Sequence, residues 1–214
     1  EHEECKGRHG LTPAAYMEKH GIFDSPTTAA HCVWLEDEDF DILKRHGVTV
    51  ACCPASNLKL ASGYANVPKM LESGINVALG TDGAASNNNL NIMQDMYLFG
   101  VVYKGYFRDP TIITPAEVLH AATRAGALSQ GRDDSGLLAV GMRADLCVLN
   151  TDTPQFTPMT SAACNVVYAA QGADIRMTMV DGEVLYRDGE FKTIDIEKVK
   201  AEVQRRTDSI LSRL

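Results

Sequence analysis

Two residues suited to metal binding and acid–base catalysis stand at the ends of apolar segments. His31 closes the segment that begins at Thr27, and Asp82 closes the segment that begins at Ile75. Burying a carboxylate there costs free energy unless a cation or hydrogen-bond donors surround it. Histidine is the commonest metal ligand and a general base near neutral pH. Together they predict metal-assisted hydrolysis, because a bound zinc lowers the pKa of water to about 7.

From spacing alone, structural roles are the more common explanation of the same residues. A histidine at a strand end is often a hydrogen-bonded structural residue, and aspartate before glycine is common in turns and helix caps. The adjacent Cys52 and Cys53 lack the spacing of a zinc site and are interpreted as core thiols. The six cysteines form no CxxC pair, which is typical of reduced thiols in a cytoplasmic protein.

The segments around these residues predict a parallel α/β sheet. Strands are expected over Thr27–Val33 (buried), Val48–Cys53 and Ile75–Leu79, with helices over Asp37–Arg45 and Val67–Ser73. Parallel strands present functional residues at their carboxyl ends, so His31 and Asp82 are expected at one edge of the sheet. Three such units are too few for an eightfold barrel, which typically takes about 250 residues.

The remainder of the chain predicts two helices, a small β module and a terminal helix. Thr114 and Glu117 form a capping box at the start of the second helix. Asp181-Gly182 is a strong hairpin turn between two strands. We therefore expect three parts: the α/β region at 1–135, a small β domain at 136–194 and a charged amphipathic helix at 195–214.

The composition argues against some classes of binding partner. The 214 residues carry 20 Lys and Arg against 28 Asp and Glu, a formal net charge of −8, which argues against nucleic-acid binding. No apolar run approaches the length of a membrane span. A small-molecule substrate is expected, and assembly into a homo-oligomer is left open.

Several motifs, in order along nearly the whole chain, resemble the amidohydrolase superfamily. They resemble most closely the branch of methylthioadenosine/S-adenosylhomocysteine deaminases and related chlorohydrolases. The segments that carry this resemblance are Ala30–Leu35, Pro54–Gly63, Gly80–Asn88, Val140–Leu146 and Val180–Val184.

The resemblance implies the C-terminal part of a metal-dependent hydrolase (β/α)8 TIM barrel, covering strands six to eight, plus a small β-sandwich-like domain. It implies one divalent metal, usually zinc, held by an H-x-H after the first strand, a fifth-strand His and an eighth-strand Asp. Asp82 matches that metal ligand and would also move the proton of the attacking water to the leaving amine. His31 matches the sixth-strand His that contacts this water, so both residues are expected to be catalytic and to face the substrate.

The implied reaction removes ammonia from the adenine ring of S-adenosylhomocysteine or methylthioadenosine and leaves an inosine-type product. The chain has no H-x-H and no fifth-strand His with its partner Glu, so we expect these in an N-terminal half outside it and expect this chain alone to be inactive. Cys52 stands where relatives often carry His, which bears on substrate preference. Guanine deamination, triazine dechlorination and a non-catalytic remnant are the alternatives.

Overall fold

The structure, a computed structural model, describes residues 1–214 as two β-sheets and eleven α-helices. The α-helices, in chain order, are α1 (His2–His9), α2 (Pro13–Lys19), α3 (Asp37–Arg45), α4 (Pro54–Lys59), α5 (Val67–Glu72), α6 (Ala84–Asn87), α7 (Ile92–Phe107), α8 (Pro115–Ala122), α9 (Arg124–Ser129), α10 (Ala162–Tyr168) and α11 (Ile196–Leu211). The strands are β1 (Thr28–Ala30), β2 (Thr49–Cys52), β3 (Val77–Leu79), β4 (Leu146–Leu149), β5 (Ile175–Val180), β6 (Glu183–Arg187) and β7 (Glu190–Phe191).

The first sheet is parallel, with the order β1-β2-β3, which confirms the predicted α/β class. Ala29 lies opposite Val50, and Val50 lies opposite Val77. Val50 and Val77 are almost fully buried, so the middle of this sheet belongs to the main hydrophobic core. Because β2 is the central strand, the segment that follows it begins between the carboxyl ends of β1 and β3.

The prediction of a buried strand over Thr27–Val33 is wrong in length and in burial. The strand ends at Ala30, because His31 and Cys32 adopt positive φ angles that extended backbone does not allow. The residues of β1 are exposed or half-buried, since β1 is an edge strand with one side unpaired. The apolar composition of the segment therefore overstated its burial.

Helix α4 was not expected from the sequence, which indicated only that Pro54 ends a strand. In the structure Pro54 occupies the first turn of the helix, where its missing N–H and fixed φ are favourable. Four consecutive residues of this helix, 54–57, are buried, so its beginning lies inside the protein. This buried start matters for the site, since it directly follows the central strand.

A carboxylate from α7 anchors the buried start of α4. Asp95 is 1% exposed, and its Oδ1 accepts a hydrogen bond from the Ala55 N–H at 3.1 Å. Its Oδ2 accepts a hydrogen bond from Asn87 Nδ2, which also donates to the Thr81 carbonyl at 2.7 Å. Burial raises the pKa of Asp95, and the amide donors partly offset that increase. Asp95 thus contacts α4 directly and is linked to the loop that follows β3 through Asn87.

The second sheet is antiparallel, with the order β4-β5-β6-β7. The predicted hairpin between β5 and β6 is confirmed, with both Asp181 and Gly182 at positive φ as a type I′ turn requires. The predicted terminal helix is present as α11. None of the helices in the chain combines the length and apolar character needed to cross a membrane.

Helix α10 lies within the segment that the sequence suggested was a β module. It packs against α7 and α8, and its Val167 belongs to the hydrophobic core that includes Val50 and Val77 of the first sheet. The contact with α7 is close at Gly100, where an added Cβ would lie 3.0 Å from Tyr168 Cε1 and 3.3 Å from Val167 Cγ1. The domain division at 136 and 195 itself stays a prediction.

Replacing Gly100 by Leu should destabilise the protein, because the side chain would push α10 away from α7. The expected loss in the free energy of unfolding is about 1–3 kcal/mol, measured by urea denaturation. Gly105 lies on the same helix with no heavy atom within 4 Å of an added Cβ, so it is the matched control. Gly105→Leu should be neutral or stabilising, by up to about 1 kcal/mol. Equal effects of the two substitutions would contradict the close packing of α7 and α10.

Replacing Asp95 by Ala should also be strongly destabilising, since it leaves the buried Ala55 N–H and one of the two N–H groups of Asn87 without an acceptor. We expect a loss of about 2–4 kcal/mol in the free energy of unfolding, again measured by urea denaturation. Asp41→Ala, at an exposed position on α3, should change it by no more than about 0.5 kcal/mol. A loss at Asp95 as small as that at Asp41 would show that the anchor is dispensable.

Candidate active site

The two residues singled out from the sequence both adopt left-handed backbone conformations. His31 has φ 66° and Asp82 has φ 60°, each just after a strand of the parallel sheet. The His31 N–H still donates to the Ala51 carbonyl at 2.8 Å, so the turn begins where the ladder between β1 and β2 ends. Strained backbone of this kind costs about 1–3 kcal/mol per residue and clusters at functional sites.

The structure brings the two side chains together, as the shared sheet edge predicted. His31 Nε2 lies 3.9 Å from Asp82 Oδ2. The His31 side chain is 40% exposed and that of Asp82 is 30% exposed, so a molecule at this edge can reach both. An imidazole and a carboxylate at this distance can exchange protons with a water or a substrate that lies between them.

Two further residues of the site lie in the first turns of α4, and the sequence analysis gave them no role. Asn57 Oδ1 lies 2.8 Å from His31 Nδ1, and Ser56 Oγ donates to Asp82 Oδ2 at 2.6 Å. Both residues are almost fully buried. The signal that could have found them is their position, because they directly follow the central strand at the functional edge of the sheet.

The surroundings of Asp82 keep it ionised. The Ser56 hydroxyl, with the Ser86 hydroxyl and the Gly83 amide, lowers the pKa of Asp82 to about 2. The Gly83 N–H donates to Oδ1 at 2.8 Å, while Ser56 occupies Oδ2. At neutral pH the group is therefore a carboxylate whose two oxygens are each fixed by one donor, with further lone pairs free for a cation or a proton.

The neighbouring cysteines are core thiols, as expected. Cys52 is fully buried, with Sγ 3.0 Å from the Tyr103 hydroxyl, and burial raises the pKa of its thiol to about 12. Burial likewise raises the pKa of Cys53 to about 11. Metal binding and nucleophilic attack need a thiolate, so these neutral thiols are unsuited to either. All six cysteines are free.

A cavity of about 990 Å³ opens beside the free edge of β1 and includes the site. His31, Asp82, Ser56 and Asn57 contribute its polar lining, and much of the remainder is apolar. Trp34 also lines it; its side chain is held by a hydrogen bond from Nε1 to the Ser62 carbonyl at 3.1 Å while the residue stays 68% exposed. The cavity therefore joins the polar side chains of the site to an apolar wall.

The donor set fits one part of a divalent-metal site. A carboxylate and an imidazole are both common zinc ligands, and their facing atoms are Asp82 Oδ2 and His31 Nε2. No group of three or more His, Cys, Asp or Glu side chains in this chain lies close enough to hold a metal. Since zinc takes three or four protein ligands, these residues provide only a fraction of its coordination sphere.

Comparison with known proteins agrees with the geometry. A 5-methylthioadenosine/S-adenosylhomocysteine deaminase of Acetivibrio thermocellus is 44% identical over 210 residues, covering 98% of this chain and 49% of that protein. The crystal structure of an adenosine deaminase from Xanthomonas campestris with bound zinc superposes with a TM-score of 0.95 at 28% identity, covering 99% of this chain and 48% of the other. The zinc complex of atrazine chlorohydrolase from Arthrobacter aurescens has a TM-score of 0.88 at 27% identity, over 95% and 46% of the two chains.

The chain spans about half the length of the curated relatives it matches. The sequence model of the amidohydrolase family matches residues 1–185, which is most of the chain and includes both His31 and Asp82. With the parallel sheet and the site at its carboxyl edge, this match identifies the chain as a member of the amidohydrolase family.

Proposed function

We propose that the protein containing this chain is a metal-dependent hydrolytic deaminase of adenine-type nucleosides. Its expected substrates are S-adenosylhomocysteine and 5-methylthioadenosine, which it would convert to an inosine-type product and ammonia. The main observation behind this proposal is the proximity of His31 and Asp82 at the edge of the sheet, where Nε2 and Oδ2 lie 3.9 Å apart. The 44% identity to a deaminase of that name supports this choice of substrates.

We further propose that β1, β2 and β3 are strands six to eight of a (β/α)8 barrel. The free edge of β1 supports this, because unpaired backbone groups there can pair with a further strand. In this arrangement 1–135 belongs to the barrel, 136–194 to a small β domain whose sheet contributes to a sandwich, and 195–214 to a terminal helix. The remaining metal ligands would then come from barrel strands outside these residues.

Asp82 is the metal ligand and proton acceptor in this proposal. One divalent metal, which we expect to be zinc, would lower the pKa of water and so supply a nucleophile at neutral pH. Asp82 suits the ligand role because one donor occupies each of its oxygens, which leaves further lone pairs free, and Oδ2 faces the same space as His31 Nε2. His31 faces the same space and would orient the attacking water through Nε2.

In the proposed reaction, Asp82 carries a proton from the attacking water to the leaving group. Water would add to the amino-bearing carbon of the adenine ring as the ring C=N π bond opens onto its nitrogen, and one proton of the water would pass to Asp82. The bond between that carbon and the amino nitrogen would then break as the ring C=N bond re-forms. Asp82 would return the proton to the departing amino group, which leaves as ammonia, and the ring would retain the hydroxyl tautomer of the inosine-type product. A carboxylate that shuttles a proton in this way contributes about 10²–10⁴-fold to the rate.

Triazine dechlorination is the second candidate, and the TM-score of 0.88 to atrazine chlorohydrolase favours it over other activities. The two reactions share the attack of water on a ring carbon and differ in the leaving group. Guanine deamination is a third member of this reaction class. The six free thiols support a reducing cytoplasmic location, and the substrate rather than a macromolecule is the proposed partner.

Activity of the full-length protein, purified with its metal, tests the proposal. Ammonia release from S-adenosylhomocysteine and 5-methylthioadenosine should exceed that from guanine, and chloride release from a chlorotriazine should be absent. Asp82→Ala should lower turnover by at least about 10²–10⁴-fold and reduce bound metal, whereas His31→Ala should lower turnover and retain more metal.

Two exposed positions provide matched controls for these variants. Asp41→Ala and His120→Ala remove the same side-chain types away from the site and should retain turnover and metal content. Normal turnover by the Asp82 variant would disprove its assignment. A wild-type protein without stoichiometric metal would instead indicate a non-catalytic relative.

A further inference from the structure

Two buried polar side chains next to the site are left without a role in the proposed reaction. Ser56 is 1% exposed and Asn57 is 3% exposed, yet each forms a hydrogen bond with one of the two site residues. Burying a polar side chain costs free energy unless its partners compensate. Asp82 compensates the Ser56 hydroxyl and His31 compensates the Asn57 amide oxygen, whereas Asn57 Nδ2 has no hydrogen-bond partner.

With its amide oxygen towards His31, Asn57 favours one tautomer of the imidazole. The Asn57 amide oxygen only accepts hydrogen bonds, and it lies 2.8 Å from His31 Nδ1. A neutral imidazole in this contact therefore has its proton on Nδ1. Nε2 then has a free lone pair, directed to the side where Asp82 Oδ2 lies 3.9 Å away. In that tautomer Nε2 can accept a hydrogen bond from a water at the site.

The contact of Ser56 fixes the carboxylate of Asp82. The hydroxyl donates to Oδ2 at 2.6 Å, and the Gly83 N–H donates to Oδ1 at 2.8 Å. With a donor on each oxygen, rotation of the carboxylate would break a hydrogen bond. The remaining lone pairs are therefore presented in one direction, which is what a metal ligand requires.

Both contacts come from consecutive residues in one helix, and the geometry points to a shared role. We propose that Ser56 and Asn57 are positioning residues, with Ser56 orienting Asp82 and Asn57 fixing the tautomer and orientation of His31. This rests on the proposed function, since only there do His31 and Asp82 act on a substrate. Helix α4 can serve both because it begins between the ends of β1 and β3 and is anchored by Asp95.

The tautomer of His31 is measurable without any assay of turnover. In the full-length protein labelled with ¹⁵N-histidine, NMR should show His31 protonated on Nδ1, with His31→Ala used to assign the signal. Asn57→Asp retains an oxygen acceptor and should preserve that pattern, whereas Asn57→Ala should give a mixture of tautomers. A wild-type His31 protonated on Nε2 alone would overturn the role of Asn57.

Kinetics and metal affinity separate positioning from a general loss of structure. Asn57→Ala should lower kcat about tenfold or more with KM and metal affinity unchanged, and Asn57→Asp should restore much of it. Ser56→Ala should weaken metal binding by about 10–100-fold in competition with a chelator. Equal loss of metal in both variants would contradict two separate roles.

A double-mutant cycle shows whether Asn57 acts through His31. If it does, His31→Ala combined with Asn57→Ala should be no slower than His31→Ala alone, whereas multiplied losses would overturn the proposal. A wild-type protein that deaminates none of the nucleosides would end the proposed function. In that case the NMR tautomer and the chelator competition would still decide whether Asn57 and Ser56 position their partners.

Discussion

The site depends on two turns of left-handed backbone where strands of the parallel sheet end. His31 and Asp82 have side chains that disfavour this conformation, at a cost of about 1–3 kcal/mol each. Such turns persist only when the surroundings hold them. Here the His31 N–H is tied to β2, and the Asp82 carboxylate is bonded to the next backbone N–H and to a buried hydroxyl. The backbone conformation and the side-chain contacts are therefore parts of one arrangement.

The order of the strands explains how one short helix can complete that arrangement. Because β2 lies between β1 and β3, the helix that follows it begins between the two turns. Its consecutive residues Ser56 and Asn57 therefore contact different partners, Asp82 and His31. A helix that followed an edge strand would not begin between the two turns. The Asp95 carboxylate of α7 accepts a hydrogen bond from the Ala55 N–H and so holds the start of α4 in place. The site therefore depends on the buried Asp95 as well as on the polar side chains that line it.

Local signals in the sequence predicted several of the regular elements and placed His31 and Asp82 at one edge of a parallel sheet. The capping box at Thr114 and Glu117 and the turn at Asp181-Gly182 depend on neighbouring residues, and both are present. Burial was less predictable, because whether β1 is covered depends on which strand lies beside it. The roles of α4 and α10 were missed because each is a short helix whose position is set by distant contacts, with Asp95 and Gly100 respectively.

Cys52, where the family resemblance implies a frequent histidine, bears less on the site than its place in the sequence suggested. Cys52 points into the core, where its sulfur contacts the Tyr103 hydroxyl, and it is absent from the lining of the cavity. Its thiol stays neutral because burial raises its pKa to about 12, so it adds no charge near Asp82. Four residues of the following segment do line the cavity, namely Ser56, Asn57, Leu60 and Ser62. Of these, Ser56 and Asn57 contact Asp82 and His31 directly, so a substitution there affects the site more than one at Cys52.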